Sequence, residues 1–178
     1  MNTRITDLFG IRVPIIQGGL AYLAYADLAA AVSNAGGLGQ VTALSLPDPE
    51  ALRREIQRPR TLTDKPFGVN FAMGMHGTGY EPFVQVAIDE RVPVVSITGG
   101  NPAAVLQMLD GTGIKKLVLV AGVRQAQKAE ELGADAALLF HGSFGFREVG
   151  QNTMLDVDVR TSMLLKDLCS YEWVRETY

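Results

Sequence analysis

Cysteine is almost missing from this chain: Cys169 is the only one in 178 residues. A lone thiol excludes an internal disulfide framework and any cysteine-based zinc site, and it suits a reducing compartment. Histidine is nearly as scarce, with only His76 and His141, too few for an obvious metal cluster. Excess positive charge is lacking too. Sixteen Lys and Arg stand against 19 Asp and Glu, a formal net charge of −3, so there is no electrostatic footprint for nucleic acid. Nor is there a polybasic cluster for an anionic membrane. No apolar run approaches the roughly 20 residues needed to span a bilayer. The opening Met1–Asp7 is polar and has no signal-peptide core. These absences set the expectation of a soluble, cytoplasmic protein without metal, nucleic acid or membrane partner.

What the chain does have is glycine, 19 residues of it, placed at the ends of apolar runs. Its length and its apolar fraction of 47% suffice for one domain with a sizeable core. The organising stretch is Val13-Pro14-Ile15-Ile16-Gln17-Gly18-Gly19-Leu20. Its β-branched run reads as a buried strand. The strand runs into Gly18-Gly19, where no Cβ keeps a flat ligand away from the backbone. A helix-type segment from Asp27 to Ala35 follows and closes on Gly36-Gly37. For a lone Gly-Gly a tight turn without a ligand is the simpler reading, but the same grammar recurs.

Strands are expected at 37–44, 67–71, 92–97, 116–121 and from 136 to about 140. Asp48 is placed as the N-cap and Pro49 as the first residue of a helix through Gln57, with Leu52 and Ile56 on its inner face. Arg58-Pro59-Arg60 is expected to break it. Ala72–Tyr80, which contains His76, reads as a glycine-studded loop. Further helices are expected over 83–90, 102–110 and 123–132. Each βα pair takes about 20 to 30 residues, which predicts parallel strands. The strands read as apolar throughout, as when helices cover one face and side chains fill the other. A doubly wound open sheet and a (β/α)8 barrel both fit. A full barrel usually needs about 250 residues, so there is room for about six βα units. Past Phe140 the grammar fails. Asp156–Arg160 alternates like an exposed strand, Ser162–Leu168 suits a helix, and Trp173 suits a plug over exposed core better than a ligand contact.

Several ordered motifs resemble one family. Arg4–Leu8, Pro14–Gly19, Ala30–Gly39, Thr63–Asn70, Gly100-Asn101-Pro102 and Gly133–Ala136 are similar to the nitronate monooxygenases, formerly called 2-nitropropane dioxygenases. The FMN-dependent enoyl-acyl carrier protein reductases are close relatives of that family. The resemblance covers residues 3 to about 140. It implies an α/β fold of the (β/α)8 TIM-barrel type, here incomplete, with FMN at the C-terminal ends of the strands. Residues 1–140 would be the N-terminal part of an FMN-binding barrel and 141–178 a divergent tail, such as truncation, a frameshift or altered splicing produces.

The resemblance also assigns roles. Gln17, Gly18, Gly19 and Leu20 would lie along the flavin ring, and Asn70 would bind it, since an amide donates and accepts at once. Asn70 read alone is as well explained as a strand-end residue bonding neighbouring backbone. Gly99 joins the cofactor set as the turn after the fourth expected strand. The family's Gly-Gly-His-x-Gly loop, anchored on Gly133–Ala136, falls so that its preceding Gln is Phe140, its paired glycines are Gly145 and Phe146, and its histidine is Arg147. Only Gly145 survives. The histidine acts as general base or orients substrate, and a guanidinium cannot take that proton. His141, a few positions earlier, is the catalytic candidate if the loop is rewired, and otherwise a solvent-facing loop residue. The family's later phosphate-binding Gly-Gly turns have no counterpart.

The implied activity is FMN-dependent oxidation of an alkyl nitronate by dioxygen to a carbonyl compound and nitrite. The alternatives are an FMN-dependent enoyl-acyl carrier protein reductase and a catalytically impaired barrel fragment. A small nitronate-like molecule is the expected partner, and a homo-oligomer is compatible.

Overall fold

The computed structural model describes residues 2–73, 79–139 and 163–165. In chain order its elements are α1 (Arg4–Phe9), α2 (Ala26–Asn34), β1 (Gly39–Thr42), α3 (Pro49–Gln57), α4 (Pro59–Leu62) and β2 (Phe67–Ala72). They continue with α5 (Glu81–Asp89), β3 (Val94–Thr98), α6 (Ala103–Met108), β4 (Lys115–Val120), α7 (Val123–Glu131), β5 (Ala136–Leu139) and β6 (Met163–Leu165). The six strands form one sheet in the order β1-β2-β3-β4-β5-β6. Strands β1 to β5 pair in parallel, and β6 lies antiparallel on β5. Strand order equals chain order. A doubly wound sheet reverses its strand order at a switch point. This one does not, so the architecture is the TIM-barrel type in incomplete form. Among the described residues no helix is long and apolar enough to cross a membrane.

Local chemistry explains where the helices begin. Asp48 accepts a hydrogen bond from the Ala51 N–H at 2.7 Å, and Pro49 sits in the first turn, where its missing N–H costs nothing. At α1, which the sequence reading did not anticipate, Thr3 and Thr6 cap each other. The Thr6 N–H donates to Thr3 Oγ1 and the Thr3 N–H to Thr6 Oγ1, at 3.2 and 2.8 Å. Gly10 ends the helix in the left-handed region, at φ 67°.

The strands alternate about the sheet. Val41, Val69, Phe71, Val95, Ile97 and Val118 face outward and pack against Leu52 and Ile56 of α3, Val84 and Ala87 of α5, Val105 and Leu106 of α6, and Ala126 and Ala129 of α7. Full burial of each large side chain is worth about 1.5–3 kcal/mol. Helix α2 rides directly on β1, because a Cβ on Gly39 would collide with the Ala29 carbonyl. On the inner face a smaller apolar cluster of Leu38, Val94, Leu117 and Ala136 is closed off by Ile5, Phe9 and Ile11. Helix α1 is thus a plug under the sheet, and the inner face above it is left to the site.

Three expectations need correction. The stretch Val13–Leu20 is not a buried strand: only Ile16 bridges, in parallel with Leu38, and Ile15 is 62% exposed. Pro14 has no N–H for a ladder, and the Ile15 N–H turns back on the Val13 carbonyl. The strands are not apolar throughout either, since Gln40, Thr42, Asn70 and Ser96 are buried within them. The break at Arg58-Pro59-Arg60 is where it was expected: α3 ends at Gln57, and Pro59 opens the separate single turn of α4, a position proline tolerates. Within 162–168, Met163–Leu165 is strand β6 where a helix was expected. A β5 edge offers unpaired backbone groups, and pairing outweighs the helix propensity of three residues.

Candidate functional site

The site grows from three residues that run beside β1. Ile16 bridges Leu38, the Leu38 N–H donates to the Ile15 carbonyl at 2.9 Å, and the Gln17 N–H donates to the Leu38 carbonyl at 3.0 Å. Backbone pairing then stops, and side-chain amides continue it. Gln17 Oε1 accepts from the Gln40 N–H at 2.9 Å, and Gln17 Nε2 donates to the Gln40 carbonyl at 3.2 Å. In return Gln40 Nε2 donates to the Gln17 carbonyl at 2.8 Å. Gln17 Nε2 also reaches the Gly18 carbonyl.

Beyond this clasp the chain turns through Gly18 and Gly19. A Cβ on Gly18 would meet nothing within 4 Å, whereas one on Gly19 would collide with the side-chain amide of Asn70. Neither glycine N–H finds an acceptor among the described residues. The Leu20 N–H donates to Thr42 Oγ1 at 3.0 Å, which anchors the far side of the turn. Leu20, Tyr22 and Leu23 are exposed, and Tyr22 takes a left-handed φ of 65°.

Asn70 stands on β2 and is 2% exposed. Its Nδ2 donates to Ser96 Oγ at 2.8 Å and to Thr98 Oγ1 at 3.4 Å, both on β3. Parallel register makes this possible, because Asn70 pairs with Ser96 and Ala72 with Thr98. Gly99 and Gly100 follow at φ 67° and 63°, left-handed geometry that turns the chain away at the strand end.

Together these parts enclose a cavity of about 200 Å³. Ile16, Gly18, Gly19, Gln40, Asn70, Ser96, Thr98, Leu117, Leu119 and Leu138 line it. None of the described lining residues ionises. The apolar wall from β4 and β5 faces a polar wall from β1 to β3, which suits a flat, neutral ring with hydrogen-bonding edges. That volume is below the roughly 300–1,000 Å³ of typical small-molecule pockets. Among the described residues the lining offers no Lys or Arg for a phosphate.

Of the residues expected to bind cofactor, Gly18, Gly19 and Asn70 meet on this cavity. Gln17 stands behind it with its amide committed to Gln40. Leu20 and Gly99 follow Gly19 and Thr98 in the chain and are not among the lining residues. His141, Gly145, Phe146, Arg147 and His76 lie outside the described residues. Gln40, Ser96 and Thr98 were missed by sequence reasoning. Their signal was a polar residue at every second place in Ser96-Ile97-Thr98 and in Gln40-Val41-Thr42.

Comparison with known proteins matches residues 2–79 to the family model described as nitronate monooxygenase. The chain is 30% identical to a Rhodococcus jostii protein named (3aS,4S,5R,7aS)-5-hydroxy-7a-methyl-1-oxo-octahydro-1H-indene-4-carboxyl-CoA dehydrogenase, over 82% of this chain and 40% of that one. It is 33% identical to the nitronate monooxygenase of Pseudomonas aeruginosa, over 78% of this chain and 50% of that one. Among solved structures, FabK from Thermotoga maritima superposes with a TM-score of 0.72 at 41% identity, over 77% of this chain and 43% of that chain. The chain therefore spans half or less of the length of these proteins.

Proposed function

We propose that this chain, related through residues 2–79 to the nitronate monooxygenase family, holds the ring of FMN and serves a flavin-dependent oxidoreductase reaction. The observation that carries this reading is the meeting of Gly18, Gly19 and Asn70 on one neutral cavity at the inner face of the sheet. The residues present fit a flavin ring. Two glycine N–H groups without acceptors among the described residues match its ring acceptors, the bare Gly19 backbone allows close approach, and the leucines of β4 and β5 offer an apolar wall. Bound there, FMN supplies an acceptor for two electrons from the substrate. The chain's own part is to orient the ring, exclude water from its apolar side and fix hydrogen bonds along its edge.

The substrate we favour is a small alkyl nitronate, with dioxygen as final acceptor and a carbonyl compound and nitrite as products. His141 is our candidate for the group that takes or orients a substrate proton, because an imidazole exchanges protons near neutral pH. Gly145 is proposed as a turn beside the flavin, within the segment 141–178 that we treat as a divergent tail to the FMN-binding part at 1–140. A soluble cytoplasmic setting is part of the same reading. The relative named as a carboxyl-CoA dehydrogenase supports a second reading, oxidation or reduction of an acyl thioester, as an FMN-dependent enoyl-acyl carrier protein reductase performs.

The test is flavin titration followed by turnover. Titration should perturb the flavin's visible spectrum, and a spectrum identical to free FMN at every protein concentration would overturn the reading. Aerobic oxidation of an alkyl nitronate is then compared with oxidation of reduced nicotinamide in the presence of an unsaturated acyl thioester. Loss of nitronate turnover in His141→Ala supports the imidazole. Arg147→His tests the residue that stands at the family histidine's place. General-base help is typically worth about 10²- to 10⁴-fold in rate.

A further inference from the structure

Gln40 is 2% exposed, yet its Oε1 has no hydrogen-bond partner among the described residues. The orientation of its amide is not arbitrary. Nε2 donates at 2.8 Å to the Gln17 carbonyl, which can only accept, so Oε1 is the atom left over. That atom lies against Gly68, 3.3 Å from where a Cβ on that glycine would stand. A buried acceptor without a donor typically costs about 1–3 kcal/mol, and an apolar side chain at this position would avoid the cost. Stability alone therefore argues against glutamine here. What glutamine provides is the donor that holds the Gln17 carbonyl, and with it the plane of the Gln17–Gly18 peptide at the cavity lip.

We propose that Gln40 is a positioning residue: its amide pins the Gln17–Gly18 peptide so that the glycine turn is held rigid for a flat ligand, and the unpaired Oε1 is the structural cost of that grip. The proposal takes the turn as the flavin-facing edge, so it rests on the reading above for the identity of the ligand, but not for the rigidity of the turn. The remaining contacts isolate the role. The bonds from the Gln17 side chain go to Gln40 backbone and survive any substitution of the Gln40 side chain. The turn's other anchor, Leu20 N–H on Thr42 Oγ1, is independent as well. Replacement of Gln40 removes one specific restraint and one unsatisfied buried atom together, and leaves the carbonyl of the half-buried Gln17 to water.

This predicts that turn order falls without a loss of global stability, which a merely structural residue would not show. The experiment uses the full chain and Gln40→Leu, with Gln40→Met as a second apolar variant should leucine pack badly. Backbone amide relaxation at Gly18 and Gly19 reports the turn without any flavin. Denaturant midpoint reports stability, and FMN titration reports binding. In the variant the order parameters of Gly18 and Gly19 should fall from the rigid range near ~0.85 toward the flexible range below ~0.6. The denaturant midpoint should be unchanged or higher, and FMN binding should weaken about tenfold through lost pre-organisation. Unchanged order parameters in both variants overturn the proposal, whatever happens to FMN. A loosened turn accompanied by a matching fall in midpoint also overturns it, because Gln40 is then ordinary core. A loosened turn with a preserved midpoint, in a chain that binds no FMN before or after substitution, sustains the positioning role and removes flavin as the ligand.

Discussion

Gly19 and Asn70 occupy the same place from two sides of the cavity: the bare Cα of one is packed against the side-chain amide of the other. Any side chain at position 19 must push Asn70 off Ser96 or lift the turn away from the sheet. Gly19→Ala should therefore cost about 1–3 kcal/mol, the usual penalty for overpacking a filled site, and weaken FMN binding at least tenfold. Gly18→Ala is the internal control. Its Cβ would enter open space, so the denaturant midpoint should hardly move. Equal destabilisation by the two substitutions would contradict the packing described here.

Asn70 and Ser96 are coupled through a buried 2.8 Å hydrogen bond across β2 and β3. Asn70→Ala, Ser96→Ala and the double variant form a cycle whose coupling energy should be about 1 kcal/mol. A coupling near zero would mean that the two residues act separately. Asn70→Ala should also weaken flavin binding, since the amide then no longer fills the space beside Gly19.

Much of this fold was legible in the sequence, and the failures have physical reasons. The five parallel strands announced themselves as apolar runs ending at glycine or before a polar turn, and Asp48-Pro49 marked a helix start through side-chain chemistry alone. Val13–Ile16 looked like its neighbours, but its burial depended on which strands flank it, a tertiary fact. Met163–Leu165 is too short for its period to separate strand from helix. The structure brings Gly18, Gly19 and Asn70 to one cavity; the two glycines were legible as a turn after an apolar run, and Asn70 only through the family resemblance. Gln40 was not. Its importance lies in a contact with Gln17 across 23 positions of chain, and a four-residue strand is too short to show which of its sides faces inward.

Acid sensitivity should centre on Glu90. Burial pushes its carboxyl up, but hydrogen bonds from Arg53 and Gln57 and the charge of Arg60 outweigh that and hold it below its ordinary value of 4.5. The contacts are 2.7 Å to Arg53, 3.1 Å to Gln57 and 3.1 Å to Arg60. A carboxylate depressed in the folded state stabilises the fold above its unfolded value, and the contribution is lost as pH falls through the folded one. Stability should thus decline below about pH 4.5, and Glu90→Gln should flatten that limb at a cost of about 1 kcal/mol near neutrality. Asp64 and Asp89 are also held down, by Lys65 and by Gln85 respectively, so some slope will remain in the variant. Denaturant midpoints across the acid range would settle the comparison, and an unchanged limb would refute the role of Glu90.

If the cavity holds a flavin as proposed, it would treat the two ends of FMN differently. Among the described residues its lining supplies backbone donors, two amides, two hydroxyls and leucine side chains for a ring, and no cation for a phosphate. Arg12 and Lys65, the basic residues near the chain's first glycine turns, belong to a separate cavity beside Ser33 and Pro66, and Arg12 is hydrogen-bonded to the Ala35 carbonyl. If ring contacts dominate, removal of the phosphate should matter little. Riboflavin and lumiflavin should compete with FMN within about threefold, a difference of roughly 0.6 kcal/mol. Raised salt should leave the affinity nearly unchanged, because no exposed charge pair is being screened. Competition titrations at two ionic strengths read both quantities. FMN binding that is much tighter than riboflavin binding and falls with salt would show that a cation beyond the described cavity holds the phosphate, and the ring-only account of the affinity would be wrong.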